Sequence, residues 1–386
     1  MPALPSQRHL FDIADDIAYF NCASNSPQLN AARDRLLAGA REKSHPWNRT
    51  PKDFFEDAET IRRLAAEIFG GDADGYAVIP AASYGLSTAA RAIEPHLRAG
   101  DEILVIAEEF PSNVLPWKRT AQEVGATLVT VPAPDDGDWT RAILERIEPR
   151  TRVVSVSTCH WTNGAAIDLR PIGNACRAAG IILVVDATQT LGAMPFPLME
   201  IAPDFLVAAG YKWLLCPYGF GLLYVSERWR GSRPLEETWL ARDDAEDFTA
   251  LVKYSDTYLP GARRFDVGEK CTPTILPGAI AALEQIKAWG IANIADSLAA
   301  INARLALKLG RSGFRLPAEA QRCPHMFGAV LPVPSTAHAN LNFVAELARR
   351  KIYISQRGSF LRFAPHLHVN EGDVERLLGA LEALAG

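Results

Sequence analysis

No apolar run in this chain approaches the ~20 residues that cross a bilayer, and the opening MPALPSQRHLFDIADD has no apolar centre of the kind a secretory signal carries. A helical membrane span is therefore excluded, and cytoplasm is the expected compartment. A basic excess is missing too: 40 Lys and Arg against 45 Asp and Glu leave a net charge of -5, which offers nucleic acid no electrostatic footprint. The six cysteines (Cys22, Cys159, Cys176, Cys216, Cys271, Cys323) show no paired metal-ligand spacing, so they are expected as reduced thiols. His366 and His368 alternate as metal ligands sometimes do, yet no third ligand lies nearby, and a polar strand-end face is the expected reading. A dinucleotide fingerprint is absent, because Gly219-x-Gly221 leads into a strand and reads as a turn. What the chain does have is apolar material, 48% of 386 residues, enough for one or two substantial cores and a two-domain expectation.

The densest signal runs from Ile181 to Val225, IILVVDATQTLGAMPFPLMEIAPDFLVAAGYKWLLCPYGFGLLYV. Ile181 to Val185 is a continuous apolar run closed by Asp186, the form of a parallel strand buried on both faces. Asp204 to Ala209 is a second run, followed after Gly210-Tyr211 by Lys212, and Gly221 to Val225 is a third. Open α/β sheets place their ligands at such strand ends. A lysine and a carboxylate held there suit a reaction needing one reversible imine and one protonated ring nitrogen. That is pyridoxal 5'-phosphate chemistry, with Lys212 as the imine-forming amine and Asp186 beside the ring nitrogen. Taken singly, each residue is as readily an ordinary strand-end Asp or an exposed Lys beside a glycine turn. Their pairing carries the reading.

Elsewhere, helical spacing is expected over Ala31 to Lys43 and Phe54 to Phe69, and strands over Tyr76 to Ile79, Asp101 to Ile106, Thr127 to Val131 and Arg152 to Ser157. Between the first of those strands and a helix expected over Ser87 to Leu97 lies PAASYGLS. Small residues before a helix N-terminus leave backbone N–H groups free to cradle a phosphate, although Ser83 is equally a simple cap. From Phe314 onward short strands and helices alternate: GAVLPV, a helix over Ala337 to Arg350, KIYIS, QRGSFLRFAPHLHVN and a final helix over Asp373 to Leu384. This reads as a small α+β domain.

VVDATQ and DFLVAAGYKWLLCPYGFGLLYV together resemble the class V aminotransferase family of fold-type I pyridoxal phosphate enzymes, which includes cysteine desulfurases, kynureninases and isopenicillin N epimerase. The resemblance extends from about Tyr19 to the end of the chain. It implies an α/β fold, a large domain with a mostly parallel sheet plus a small C-terminal α+β domain, divided as an N-terminal arm (1–20), a cofactor-binding domain (21–260) and a linking helix with the small domain (261–386). It also implies roles. Gln189 would donate to the cofactor's ring oxygen, Tyr211 would reach the phosphate, and Ala82 and Ser83 align with the phosphate-binding pair. Phe110, in EEFPSNVLPW, stands where the family stacks a ring on the cofactor face, although desulfurases have a proton-moving histidine there and a core phenylalanine is a rival reading. Thr158 and His160 are both candidates for a polar contact near the ring oxygen, and the alignment does not choose between them. In YFNCASNS, Asn21 matches a segment that enters the site. In FLRFAP, Arg362 matches the arginine that clamps a substrate carboxylate, with Arg357 as runner-up. RFDVG resembles a motif whose following residues, Lys270, Cys271 or Thr272, reach the phosphate in the partner subunit, which implies a homodimer with shared sites.

One family feature is missing. Desulfurases of this type carry a nucleophilic cysteine on the loop before the clamping arginine, and Ile354 to Phe360, ISQRGSF, has none. Persulfide-forming desulfurase activity is thereby disfavoured. The expectation is a pyridoxal phosphate enzyme acting on a small amino acid or amine, with transamination favoured over β-elimination or C–S lysis and over epimerisation. A catalytically silent relative used for binding is the alternative of another class; retention of Asp186, Gln189, Lys212 and Arg362 speaks against it.

Overall fold

The computed structural model describes residues 4–331 and 342–385. The chain forms β1 (Ala18–Tyr19), α1 (Asn30–Glu42), α2 (Glu56–Phe69), β2 (Tyr76–Ile79), α3 (Ala82–Ile93), β3 (Glu102–Ile106), α4 (Leu115–Val124) and β4 (Thr127–Val131). It continues through α5 (Trp139–Arg146), β5 (Thr151–Ser157), α6 (Leu169–Ala179), β6 (Ile182–Asp186), α7 (Leu198–Ile201), β7 (Phe205–Ala209) and β8 (Gly221–Val225). The C-terminal third holds α8 (Leu276–Trp289), α9 (Ile291–Arg311), β9 (Phe327–Val330), α10 (Phe343–Arg349), β10 (Ile352–Tyr353), β11 (Ser355–Arg357), β12 (Phe360–Phe363) and α11 (Glu371–Ala385).

Seven strands make one sheet in the order β2-β8-β7-β6-β5-β3-β4. Every pair from β7 to β4 is parallel, and β8 runs antiparallel to both neighbours. The unbroken apolar sequences of β6, β7 and β8 follow from this position, since all five residues of each are buried. Alternate residues supply opposite faces: Leu183 and Val185 join one core, and Ile182 and Val184 the other. The expected α/β fold with a mostly parallel sheet is what forms.

Two details of α3 position the site. The helix starts five residues earlier than the expected Ser87, so Ala82 and Ser83 are its first turn. The small, polar PAAS stretch looked like a loop, but Ala81 in extended conformation already ends it. A Cβ on Gly85 would lie 2.7 Å from Ile79 Cδ1 and 3.0 Å from Val207 Cγ1. Glycine there lets the helix seat directly on the sheet and brings its N-terminus to the carboxyl end of β2.

A third apolar core gathers Ala18, Phe20, residues of α9 and α11, and strands β9, β10 and β12. The three-stranded antiparallel sheet runs β11-β12-β9, while β1 pairs in parallel with β10. We propose a division into a large sheet-bearing unit and a smaller C-terminal one, with Ala18 to Phe20 packed into the smaller. The expected helix from Ala337 is described from Phe343 on; the part before 342 lies outside the described residues. His366 and His368 correct another expectation. Both are fully buried, in the turn after β12 and not on a solvated strand end. His368 Nε2 sits 2.9 Å from the Tyr19 carbonyl, and His366 lies between Trp213 and Trp289, each 6.1 Å away. Burial drives His366 down to about 3, so it packs as a neutral ring.

The loop before α8 is tied to the sheet by buried charge. Asp266 accepts the Val78 N–H at 2.8 Å and Lys270 Nζ at 2.8 Å, and it pairs with Arg62. Burial would raise its carboxyl, but the two cations outweigh that and hold it low. Asp266→Ala leaves buried Lys270 without its carboxylate, while Arg62 keeps Glu59 at 3.0 Å, and should cost about 3–5 kcal/mol. Urea unfolding of the cofactor-free protein measures this, and a loss under about 1 kcal/mol would show the network to be dispensable.

Candidate active site

The carboxyl ends of β3, β5, β6 and β7 and the N-terminus of α3 enclose a cavity of about 110 Å³. Asp186, the last residue of β6, lines it and accepts the Thr188 N–H at 2.9 Å. Burial raises its carboxyl, against the hydrogen bonds from Thr188 and the charge of Lys212. Lys212 follows β7 after Gly210, where a Cβ would come within 2.6 Å of Phe220 Cδ1; only glycine allows the chain to turn into the cavity there. The lysine is 6% exposed. Burial brings its amine down to about 8; Asp186 opposes this, and Arg362 and Arg357 reinforce it.

The wall beside α3 offers an anion site. Ala81 caps the helix without a side-chain hydrogen bond, and the N–H groups of Ala82 and Ser83 meet no acceptor among the described residues. A 12-residue helix adds its positive end to those free donors. Opposite stands Phe110, 36% exposed, with Lys212 Nζ 5.4 Å from its ring centroid and the Trp161 ring edge-on at 5.4 Å. Tyr211 also lines the cavity, its ring stacked on Tyr218 at 4.0 Å and its phenol pushed up to about 12 by burial. Gln189 is brought in as well. Its amide is held by Trp213 Nε1 on the oxygen, at 3.0 Å, and by donation to the Ala23 carbonyl at 3.1 Å, leaving one N–H uncommitted.

Thr158 and His160 are corrected together. Beyond β5 the chain keeps alternating, so Ser157, Cys159 and Trp161 face the cavity while Thr158 and His160 face away from it. Thr158 bonds the Thr190 hydroxyl at 2.5 Å. His160 bonds Thr162 at 2.7 Å and the Ala107 carbonyl at 3.2 Å, and it stacks on Trp139. The polar type of these residues suggested the site, but the period of two decides which side they take.

Arg362 is 1% exposed. It donates from Nη1 to the Trp161 carbonyl at 2.6 Å and from Nε to Ser355 Oγ at 3.2 Å, and its Nη2 is buried with no partner. Arg357 reaches Ser24 Oγ at 3.3 Å. Asn21 bridges to Ala364, two residues beyond Arg362, with its side-chain oxygen buried and unpartnered. Thr272 does not line this cavity; it bonds the Glu269 carbonyl. Lys270 is committed to Asp266, so of the three residues near the RFDVG motif it is the least free to reach a second chain.

Glu109 is the carboxylate the sequence reading passed over. It lines the cavity fully buried, accepting N–H groups from Phe110 at 2.8 Å and Ser157 at 3.1 Å and the Asn113 amide at 3.3 Å. Burial and the neighbouring Asp186 push it up to about 7. Its position just past the apolar β3 run is the signal that singled out Asp186. Attention to Phe110 hid it.

A buried amine, a carboxylate at depth, a flat ring and free helix amides fit pyridoxal phosphate. Lys212 would carry it, Asp186 would face its ring nitrogen, and Ala82 and Ser83 would meet its phosphate. The fold and cavity thus define a pyridoxal phosphate-dependent enzyme. The chain belongs to the aminotransferase class-V family, whose profile matches residues 39–360. Isopenicillin N epimerase of Amycolatopsis lactamdurans is 25% identical over 96% of this chain and 95% of its own length. A probable cysteine desulfurase of Pyrococcus abyssi is 26% identical over 56% of this chain and 55% of its own. Among solved structures, apo cysteine desulfurase from Thermococcus onnurineus NA1 superposes with a TM-score of 0.84 at 19% identity, over 100% of this chain and 99% of that one. A cystine C–S lyase bound to its product cysteine persulfide does so at 0.85 and 20%, over 96% and 99%. At such identities the structural likeness speaks for the fold. Among the described residues no helix is long and apolar enough to cross a membrane.

An amine brought down to about 8 becomes nucleophilic well below the pH a solvated lysine requires. In cofactor-free protein, acylation of Lys212 followed by peptide mass spectrometry should reach half its limiting rate near pH 8. A midpoint above pH 10 would mean that the amine is solvated.

Proposed function

We propose that this enzyme is an aminotransferase for a small amino acid, working through Lys212. The observation that carries this reading is that, with Asp186 facing the ring nitrogen, Lys212 is the remaining uncommitted base at the cavity among the described residues. Both Glu109 oxygens accept hydrogen bonds from fixed donors, Tyr211 is held protonated, and the Cys159 thiol is pushed well above its ordinary value by burial and Cys323. Where desulfurases have a histidine, Phe110 moves no proton. A single base that takes a proton from the amine-bearing carbon and returns it nearby supports amine transfer, whereas epimerisation by two opposed bases lacks its second group. Bound in the cavity, the cofactor supplies the electron sink. Arg362 offers its unpartnered Nη2 to the substrate carboxylate, and Trp161 and Ser355 hold the guanidinium in place. Persulfide chemistry draws no support, because Cys159 is fully buried and the Ile354–Phe360 hairpin has no thiol.

The holoenzyme mixed with pooled amino acids should shift its cofactor absorbance to the pyridoxamine form, and a 2-oxo acid should reverse the shift. Pyruvate and ammonia released without that shift would replace this reading with β-elimination, the kind of chemistry named for the C–S lyase neighbour. Racemisation with solvent deuterium at Cα would replace it with epimerisation.

We also propose a homodimer in which Thr272 reaches across to the partner's phosphate. Lys212→Ala and Thr272→Ala chains, each inactive alone, should recover up to about a quarter of wild-type activity when mixed, the fraction random pairing allows. A fully active monomer in sedimentation would refute shared sites.

A further inference from the structure

Two arginines packed against Trp161, which lines the cavity, lie on one face of the β11–β12 hairpin. Ser355 stands opposite Arg362 and Arg357 opposite Phe360, so Arg357 and Arg362 are diagonal neighbours, about 7–8 Å apart at the backbone. Trp161 is wedged against both. Its carbonyl takes Arg362 Nη1 at 2.6 Å, and its ring centroid lies 5.9 Å from the Arg357 guanidinium. Among the described residues neither arginine bonds a carboxylate: Arg362 is held by Trp161 and Ser355, and Arg357 by Ser24 Oγ and the Gln356 carbonyl. With Lys212 this gathers three cationic groups: both arginines add to the burial that depresses the lysine, and Arg357 adds to the burial that depresses Arg362. Asp186 and Glu109 line the cavity itself and accept hydrogen bonds of their own.

A planar guanidinium grips one carboxylate with a pair of parallel N–H bonds. A substrate with only an α-carboxylate would leave the second fork unmatched beside the first, its repulsion unrelieved. We infer that the substrate is an acidic amino acid, a 2-amino dicarboxylate, with its α-carboxylate on Arg362 and its side-chain carboxylate on Arg357. This rests on the Arg362 clamp of the proposed function, but not on amine transfer being the reaction.

Binding to the holoenzyme separates the two. Succinate and glutarate, which have no amine to react, should bind about ten- to a hundredfold more tightly by calorimetry than butyrate and valerate, the gain expected from one further charge-assisted pair. Arg357→Gln, a change at a half-exposed position that the folded chain should tolerate, should erase that preference and leave the monocarboxylates where they were. Circular dichroism and an unchanged cofactor spectrum confirm that the variant is folded and loaded. Equal affinity for mono- and dicarboxylates in the wild type, or a preference that survives Arg357→Gln, would overturn the inference. A dicarboxylate preference without any pyridoxamine shift from aspartate or glutamate would leave the inference standing and count against amine transfer.

Discussion

The site depends on two opposite charges kept out of water at the ends of adjacent strands. Asp186 and Lys212 would each lose their charge if buried alone, the carboxyl rising and the amine falling. Placed together at the ends of β6 and β7, each partly offsets the desolvation of the other. The parallel pairing of those strands sets their relative position, because Asp186 stands in register with Val207 and the chain then runs on through Gly210 to the lysine. Everything around the pair serves that geometry: the all-apolar strands exclude water, and Gly85 and Gly210 let α3 and the β7 turn come close enough to close the pocket.

How much of this was legible in the sequence depends on how local the determining signal was. Strands buried on both faces announce themselves as unbroken apolar runs, so the strands between Ile181 and Val225 could be read almost to the residue, and with them the strand-end places of Asp186 and Lys212; Gln189 and Tyr211 came from the family resemblance. The failures came where residue type was weighed without direction. Thr158 and His160 are polar and sit after a strand, yet the alternation that continues past Ser157 points Cys159 and Trp161 inward instead. Glu109 carried the same strand-end signal as Asp186, but its neighbour's aromatic ring drew the interpretation.

The rest could not be read locally because its cause lies far away in the chain. Lys270 looks like a free cation in a loop; it is buried because Asp266, Arg62 from α2 and the Val78 N–H converge on one point. His366 and His368 look solvated until Trp213, Trp289 and Tyr19 close over them. β1 pairs with β10 across more than three hundred residues, a contact that no window of sequence displays. Long-range packing of this kind overrides the local preference for polar residues to stay wet: hydrogen-bond partners come with it for Lys270 and His368, while His366 is held by aromatic packing with neither ring nitrogen partnered.

The uneven distribution of charge within the pocket then constrains what can bind. The carboxylates of Asp186 and Glu109 line it and already accept hydrogen bonds, whereas the guanidiniums behind Trp161 retain donors, including a buried Arg362 Nη2 with no partner among the described residues. A buried unpaired donor is costly in the empty protein, and an anion seated on it removes that cost. Burial is the main cause of the lowered Lys212 amine and the two arginines add to it, so an anion seated on them would offset only the smaller part.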